Sequence, residues 1–281
     1  MSLTGTDYAT LAHNAGRNVY FVAEGDRDGN IARQVVTPAN PCCNCYSIAK
    51  AFTVTAIGML CDRGLLHTED TAVSFIPDLC PDGMDERWCR VTLDHLMLHL
   101  AGFGRGLLDI DADNASTYPS HNYLDIVLGE PLPYEPGTHH QYTDAAYYLL
   151  SRVVERVSGM DLAAFLRPAL VDVMNFKEYA WSTCPRGYSM GATGLYLRTE
   201  DVVKLGILYL RGGDWFGERI ISEDWVRTVL ERGYEFKDRG NGWYGKGGMR
   251  GQMLTFNPSR GIAVAWHGYD GKSAYDALIR E

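Results

Sequence analysis

The chain is short of positive charge, of long apolar runs and of lysine, and each shortage removes a class of function. Acidic residues outnumber Lys plus Arg by 35 to 26, leaving a formal net charge of −9. Such a surface repels phosphate backbones, so no nucleic-acid partner is expected. No run of roughly eighteen apolar residues exists, so no membrane span is expected. Met1-Ser2-Leu3-Thr4 has no charged region followed by a long apolar run, which reads as the lack of a secretory signal and a cytoplasmic protein. One hydrolase signature is missing, the His-Glu-x-x-His zinc helix. His139 and His140 are neighbours that face apart in most backbones, so no metal is expected there. Only six of the basic residues are lysines, and two of those six fall inside the motifs below.

Seven cysteines cannot all pair with one another. Cys42-Cys43-Asn44-Cys45 contains a C-x-x-C, but the second pair that a structural zinc needs is missing. Free, mostly buried thiols in a reducing compartment are expected. At 281 residues the chain forms one large domain or two intimate lobes and needs no staples to complete a core.

Residues 6–15 read as a short amphipathic helix, and 18–24 and 31–37 as two strands joined through Asp28-Gly29-Asn30. From Ser47 to Arg63 the residues Ile48, Ala51, Phe52, Val54, Ile57, Met59 and Leu60 leave almost no polar face. That pattern predicts a helix buried on all sides and stopped at Gly64. Further helices are expected over 92–100, 145–158 and 161–173, over 199–211 with Thr199 as cap, and from Ser222. Residues 249–256 and 262–267 read as strands around a turn at 257–261, and 270–281 as a closing helix. The plan is a sheet built from both chain ends with a helical insertion.

Ser47-Ile48-Ala49-Lys50 opens the most apolar helix. Positions i and i+3 share a helix face, so the amine can lie beside the hydroxyl. An unactivated serine is a poor nucleophile, and a lysine in apolar surroundings loses charge solvation and can accept its proton. The helix N-terminus adds a backbone N–H where an oxyanion forms. The bland alternative is Ser47 as a cap and Lys50 snorkelling outward. Tyr142-Thr143-Asp144 stands just before a helix. Its phenol can relay a proton, or it can simply pack, with Asp144 as an N-cap. Lys246-Gly247-Gly248 enters a strand, where glycines let a ligand approach the backbone and a lysine offers a cation, either to a substrate carboxylate or to lower the Tyr142 pKa.

S-x-x-K, then a tyrosine motif, then K-x-G, in that order, resembles the serine β-lactamase and penicillin-binding protein superfamily. The tyrosine version is similar to class C β-lactamases, D-alanyl-D-alanine peptidases and related esterases. Leu96 to Gly102, Glu135-Pro136-Gly137, Tyr148 to Leu150, Gly194 to Asp201 and Gly251-Gln252 extend the likeness over the chain from about residue 44 onward. The resemblance implies an α+β fold, with an antiparallel sheet flanked by helices, built from both chain ends, and a helical insertion lobe. Residues 1–66 and 187–281 would form the two parts of the α/β lobe and 67–186 the helical lobe, one functional unit.

It further implies a serine hydrolase acting on an ester or amide, a β-lactam or D-amino-acid peptide among them, through acyl-Ser47. Lys50 and Tyr142 would share the acid and base roles. Backbone N–H groups of Ser47 and Met249 would form the oxyanion hole. Asp144, Lys246, Gly247, Gly248 and Arg250 would contact the substrate, with neither metal nor organic cofactor. The other open reading is a binding protein or sensor that acylates slowly or not at all. Two departures stand out: Asp144 where the family usually has Asn, and Gly247 where it commonly has Thr or Ser. An ionised Asp only accepts hydrogen bonds, so it is poorly suited to a substrate carbonyl and better suited to an amine.

Overall fold

A computed structural model describes residues 3–270 and Leu278, so the helix expected over 270–281, apart from the single residues Asp270 and Leu278, lies outside the described residues. In chain order the elements are α1 (Tyr8–Asn14), β1 (Val19–Asp26), β2 (Ile31–Val35), β3 (Cys42–Asn44), α2 (Ala49–Asp62), α3 (Leu93–Met97), α4 (Tyr123–Leu128), α5 (Asp144–Ser158), α6 (Leu162–Leu166), β4 (Ala180–Trp181), β5 (Leu195–Arg198), α7 (Thr199–Leu210), β6 (Asp214–Trp215), β7 (Glu218–Arg219), α8 (Glu223–Arg232), β8 (Lys237–Gly240), β9 (Trp243–Gly248), β10 (Gln252–Asn257) and β11 (Ile262–Gly268). The chain divides into two compact units, Met1–Ala51 with Leu170–Ala180 and Leu195–Glu281, and Phe52–Ala169 with Trp181–Gly194.

The first unit is organised on an antiparallel sheet of order β2-β1-β11-β10-β9-β8. Strands from the two chain ends meet at the β1–β11 pair, where Phe21 faces His267 and Glu24 faces Val264. β11 reads Ile-Ala-Val-Ala-Trp-His-Gly and is buried almost throughout, as expected of a strand covered on both faces. Over one face lies α7. Added Cβ atoms at Gly206 and Gly25 would come within 2.9 Å of Ala263 and 2.5 Å of Ile207. Small residues at the crossing therefore let this helix sit close. On the other face Tyr8 and Ala12 of α1 join Val22, Trp243, Met253, Val264 and Trp266 in one apolar cluster. A register shift between Val19 and Phe21 brings Val19 into it as well. Burying each such large side chain is worth about 1.5–3 kcal/mol.

In the second unit α5 is buried from Asp144 to Val154 and ends at Gly159 in the left-handed conformation. α3 starts with a capping box in which Thr92 and His95 each accept from the other's backbone N–H. Thr53, in the part of α2 that belongs here, donates its hydroxyl to the Gly191 carbonyl at 2.7 Å. Among the described residues no helix is long and apolar enough to cross a membrane.

Several local expectations need correction. The helix expected over 161–173 stops as α6 at Leu166 and continues as a wide turn, Arg167–Val171. Pro168 has no N–H to give to the preceding turn and its ring crowds the carbonyl four residues back. Thr199 does not cap α7, whose cap position is Arg198, because its hydroxyl is bonded to His267. Asp144 is the first residue of α5, and Thr143 is the cap. The strand expected over 249–256 begins only at Gln252, because Met249–Gly251 forms a tight corner with Arg250 and Gly251 at φ 62 and 82. Lys246 accordingly lies in β9, one strand earlier than expected. Of the seven thiols, all free, only Cys45 and Cys184 are buried; Cys89 is exposed and the rest are intermediate.

Candidate active site

Ser47 is carried by a strained turn between β3 and α2. β3 pairs with β5, and the Cys45 N–H continues the ladder to the Leu195 carbonyl at 2.7 Å. The Asn44 side chain then accepts from the Tyr46 N–H at 2.9 Å, and Tyr46 takes φ +48, a conformation that costs a non-glycine residue about 1–3 kcal/mol. The turn points Ser47 into the first step of the buried helix. Lys50 is wholly inaccessible, and its Nζ donates to Ser47 Oγ at 3.1 Å. The outward, snorkelling alternative for Lys50 is therefore excluded.

The turn is held from below by His267. Its Nδ1 lies 2.8 Å from Thr199 Oγ1 and its Nε2 lies 3.6 Å from Cys45 Sγ. The ring is fully buried, and burial pushes its pKa from 6.5 down to about 3, so it is a neutral link between β11, α7 and the residue two before Ser47. Cys45 is itself fully buried, and that burial raises its thiol well above the ordinary value. Cys42 and Cys43 are both raised to about 11, in each case first by burial, which leaves little thiolate for redox or metal chemistry.

From the other side the end of β9 presses on the same turn. A Cβ added to Gly248 would lie 2.4 Å from the Cys45 carbonyl oxygen and 3.2 Å from the Tyr46 Cβ. Only glycine fits, so Gly248→Ala is expected to cost about 1–3 kcal/mol of stability, read by urea unfolding. An unchanged unfolding midpoint would mean that β9 does not abut the turn. The corner after β9 is fixed by Gln252, which donates to the Gly268 carbonyl at 2.6 Å and accepts from the Gly268 N–H at 3.1 Å. Met249 sits at that corner, and the Arg250 guanidinium lies over the Tyr269 ring at 5.1 Å.

Lys246 is almost buried and forms an ion pair with Glu235, which is 2% exposed. No local pattern around Lys246 points to this partner. Glu235 stands between the buried Tyr234 and Phe236, and alternation would turn it away from the core they enter. Its positive φ, +60, reverses that expectation.

Tyr142 and Asp144 belong to the second unit. Tyr142 is 41% exposed and its ring lies against His99, with centroids 4.3 Å apart. His99 is a buried organiser: its Nδ1 accepts from the Thr143 N–H at 3.3 Å and its carbonyl from the Gln141 N–H at 2.9 Å. The Thr143 hydroxyl accepts from the Leu107 N–H at 3.0 Å, which ties residues 107–109 to the same turn. Asp144, buried, thereby joins Asp109 and Asp111, with one carboxylate oxygen of each within 4.8 Å of the others. Burial, then the Asp144 and Asp111 charges, raise the Asp109 carboxyl above its usual range. Asp111 also accepts from the Thr193 hydroxyl. Oxygen donors so placed can ligate a cation. His139 stacks on Tyr134 at 3.8 Å while His140 packs near His99, so the two histidines serve different neighbours.

A beta-lactamase family model matches residues 14–268. The chain belongs to the beta-lactamase family. Within it, a protein of Salmonella agona (strain SL483) named "Putative D-alanyl-D-alanine carboxypeptidase" is 22% identical over 252 residues, covering 83% of this chain and 52% of the relative. The chain thus spans about half the length of the curated relatives it matches. Among solved structures, a "Putative 6-aminohexanoate-dimer hydrolase from Bacillus anthracis" superposes with TM-score 0.79 at 17% identity, covering 96% of this chain and 78% of that one. A family VIII carboxylesterase gives TM-score 0.73 at 15% identity over 97% and 94% of the two chains. These neighbours establish the β-lactamase/transpeptidase-like α+β fold.

Proposed function

We propose that the protein is a serine hydrolase that cleaves an ester or amide through an acyl-Ser47 intermediate. The observation that carries this reading is the 3.1 Å contact between Ser47 Oγ and the Nζ of a lysine with no solvent access. A fully desolvated amine favours its neutral form, and the same contact then carries the serine proton to nitrogen. Ser47 Oγ adds to the substrate carbonyl carbon as its proton passes to Lys50. The oxyanion is taken by the Ser47 and Met249 N–H groups. Collapse expels the alcohol or amine, which receives a proton from Tyr142, leaving acyl-Ser47. Water then adds to the acyl carbon and gives one proton to the Tyr142 phenolate, collapse expels Ser47, which takes its proton back from Lys50, and the acid departs.

Mass spectrometry after incubation with an activated acyl ester or a fluorescent penicillin tests the reading. Turnover through a Ser47 adduct is expected. A lasting adduct would indicate a slowly acylating sensor, and no adduct with any acyl donor would sink the hydrolase reading. Tyr142→Phe is expected to slow acylation by about 10²–10⁴-fold without loss of fold, measured as pre-steady-state release of the leaving group. Unchanged kinetics would remove Tyr142 from the proton path.

Small esters, D-amino-acid peptides and β-lactams all remain within reach of this chemistry. The absent hydroxyl at Gly247 and the acid at Asp144 support a substrate other than a typical β-lactam.

A further inference from the structure

Side chains two residues apart on a strand share a face, so Lys246 projects from β9 on the same side as Gly248. Gly248 is the residue pressed against Cys45 and Tyr46. The Lys246 ammonium therefore stands on the side of the strand that meets the nucleophile's turn, where a substrate carboxylate would seek a cation. That cation is already matched. Gly233 ends α8 with φ +69, and the Phe236 N–H bonds back to the Tyr234 carbonyl at 2.7 Å. The resulting tight turn folds the Glu235 carboxylate inward onto Lys246. Both partners are nearly inaccessible, so the pair is screened little by water or salt. Lys237 is a further cation in this field. Burial lowers its pKa, Glu235 opposes that effect and Lys246 adds to it, and the Lys237 ammonium lies within 3.5 Å of the point where a Gly233 Cβ would stand.

We propose that Glu235 sets the charge preference of the acyl-donor site: by neutralising Lys246 it turns the protein away from donors whose leaving group carries a carboxylate and towards uncharged esters and amides. An incoming carboxylate would meet a paired lysine and, directly behind it, a fixed negative charge. The lack of a hydroxyl at Gly247, beside Lys246, removes a second group able to hold such an anion. Glu235 acts through Lys246 and is thus a positioning residue.

The proposal rests on acylation of Ser47, and its test separates the two. The full chain is assayed with 3-carboxyphenyl acetate and 3-carbamoylphenyl acetate, which differ in one charge on leaving groups of the same shape, and the ratio of their kcat/KM values is read. The wild type is expected to favour the carbamoyl ester. Glu235→Gln, which removes the negative charge beside Lys246, is expected to swing the ratio about tenfold or more towards the carboxylate ester. A merely structural role for Glu235 would change both esters alike. Should Glu235→Gln not fold, Lys246→Met carries the test: it removes the ammonium that faces Glu235 and is expected to move the ratio about tenfold further against the carboxylate ester. A ratio unmoved in a folded variant overturns the proposal while leaving Ser47 acylation intact. Failure of both esters to acylate wild-type Ser47 overturns the hydrolase reading and this one with it.

Discussion

A Ser47→Ala protein is expected to take up no acyl group from any donor that labels the wild type, and Lys50→Met to acylate about 10²–10⁴-fold more slowly. The two losses have different origins. Without the Ser47 hydroxyl the bond to the acyl carbon cannot form. Without the Lys50 amine the hydroxyl remains but must give its proton to a poorer acceptor. The buried setting sharpens the second prediction: Lys50 has no solvent access, so bulk water cannot readily replace it as base. Methionine is apolar and similar in length. Lys50→Met removes the hydrogen bond to Ser47, a contact typically worth about 0.5–1.5 kcal/mol, and also the cost of burying a polar group. The fold should therefore survive. Intact-mass and denaturation measurements on the same samples distinguish lost chemistry from lost structure. Equal labelling of the Ser47→Ala protein would place the nucleophile elsewhere.

Acid is expected to weaken the protein through His267. In the fold its pKa lies at about 3, held down by burial, whereas the unfolded chain offers it an ordinary value near 6.5. Between these two pH values the unfolded state binds a proton that the native state refuses. Stability therefore rises with pH across this window and is lost as pH falls through it. The gap corresponds to about 5 kcal/mol when fully expressed, and about 3 kcal/mol by pH 4.5. Urea unfolding at pH 7.5, 5.5 and 4.5 should show the decline. His267→Gln, which keeps a polar group beside Thr199 but does not titrate, should flatten it relative to wild type. The same pH slope in both proteins would assign the acid sensitivity to other groups. Because His267 links Thr199 to Cys45, acid should also disorder the turn of Ser47 before the sheet as a whole.

Much of the plan was legible because it rests on local rules. The unbroken apolar face after Ser47, the strand over 18–24, the glycine stops at Gly64 and Gly159 and the Ser222 cap all act over a few residues and hold in the structure. Ser47 and Lys50 were legible for the same reason, since three residues of helix fix their contact. The errors fall where a distant partner competes with a local preference. Thr199 would cap its helix on local grounds, yet His267, remote in sequence, takes its hydroxyl. The strand expected from residue 249 is interrupted because Gln252 and the end of β11 fix a corner there. Small strands such as β3 and β5 are too short to show a period at all.

The order of the chemical motifs, a sheet built from both ends and the pairing of Ser47 with Lys50 were set by the sequence itself, through periodicity and helix geometry, while the antiparallel arrangement of that sheet was implied by the family resemblance. Tertiary structure alone decided the burial of His267, the three-carboxylate cluster around Asp144 and the match of Lys246 with Glu235. The reason is physical. Burial and Coulomb interaction depend on which surfaces meet in space, and residues far apart along the chain carry no local mark of the charge they will face.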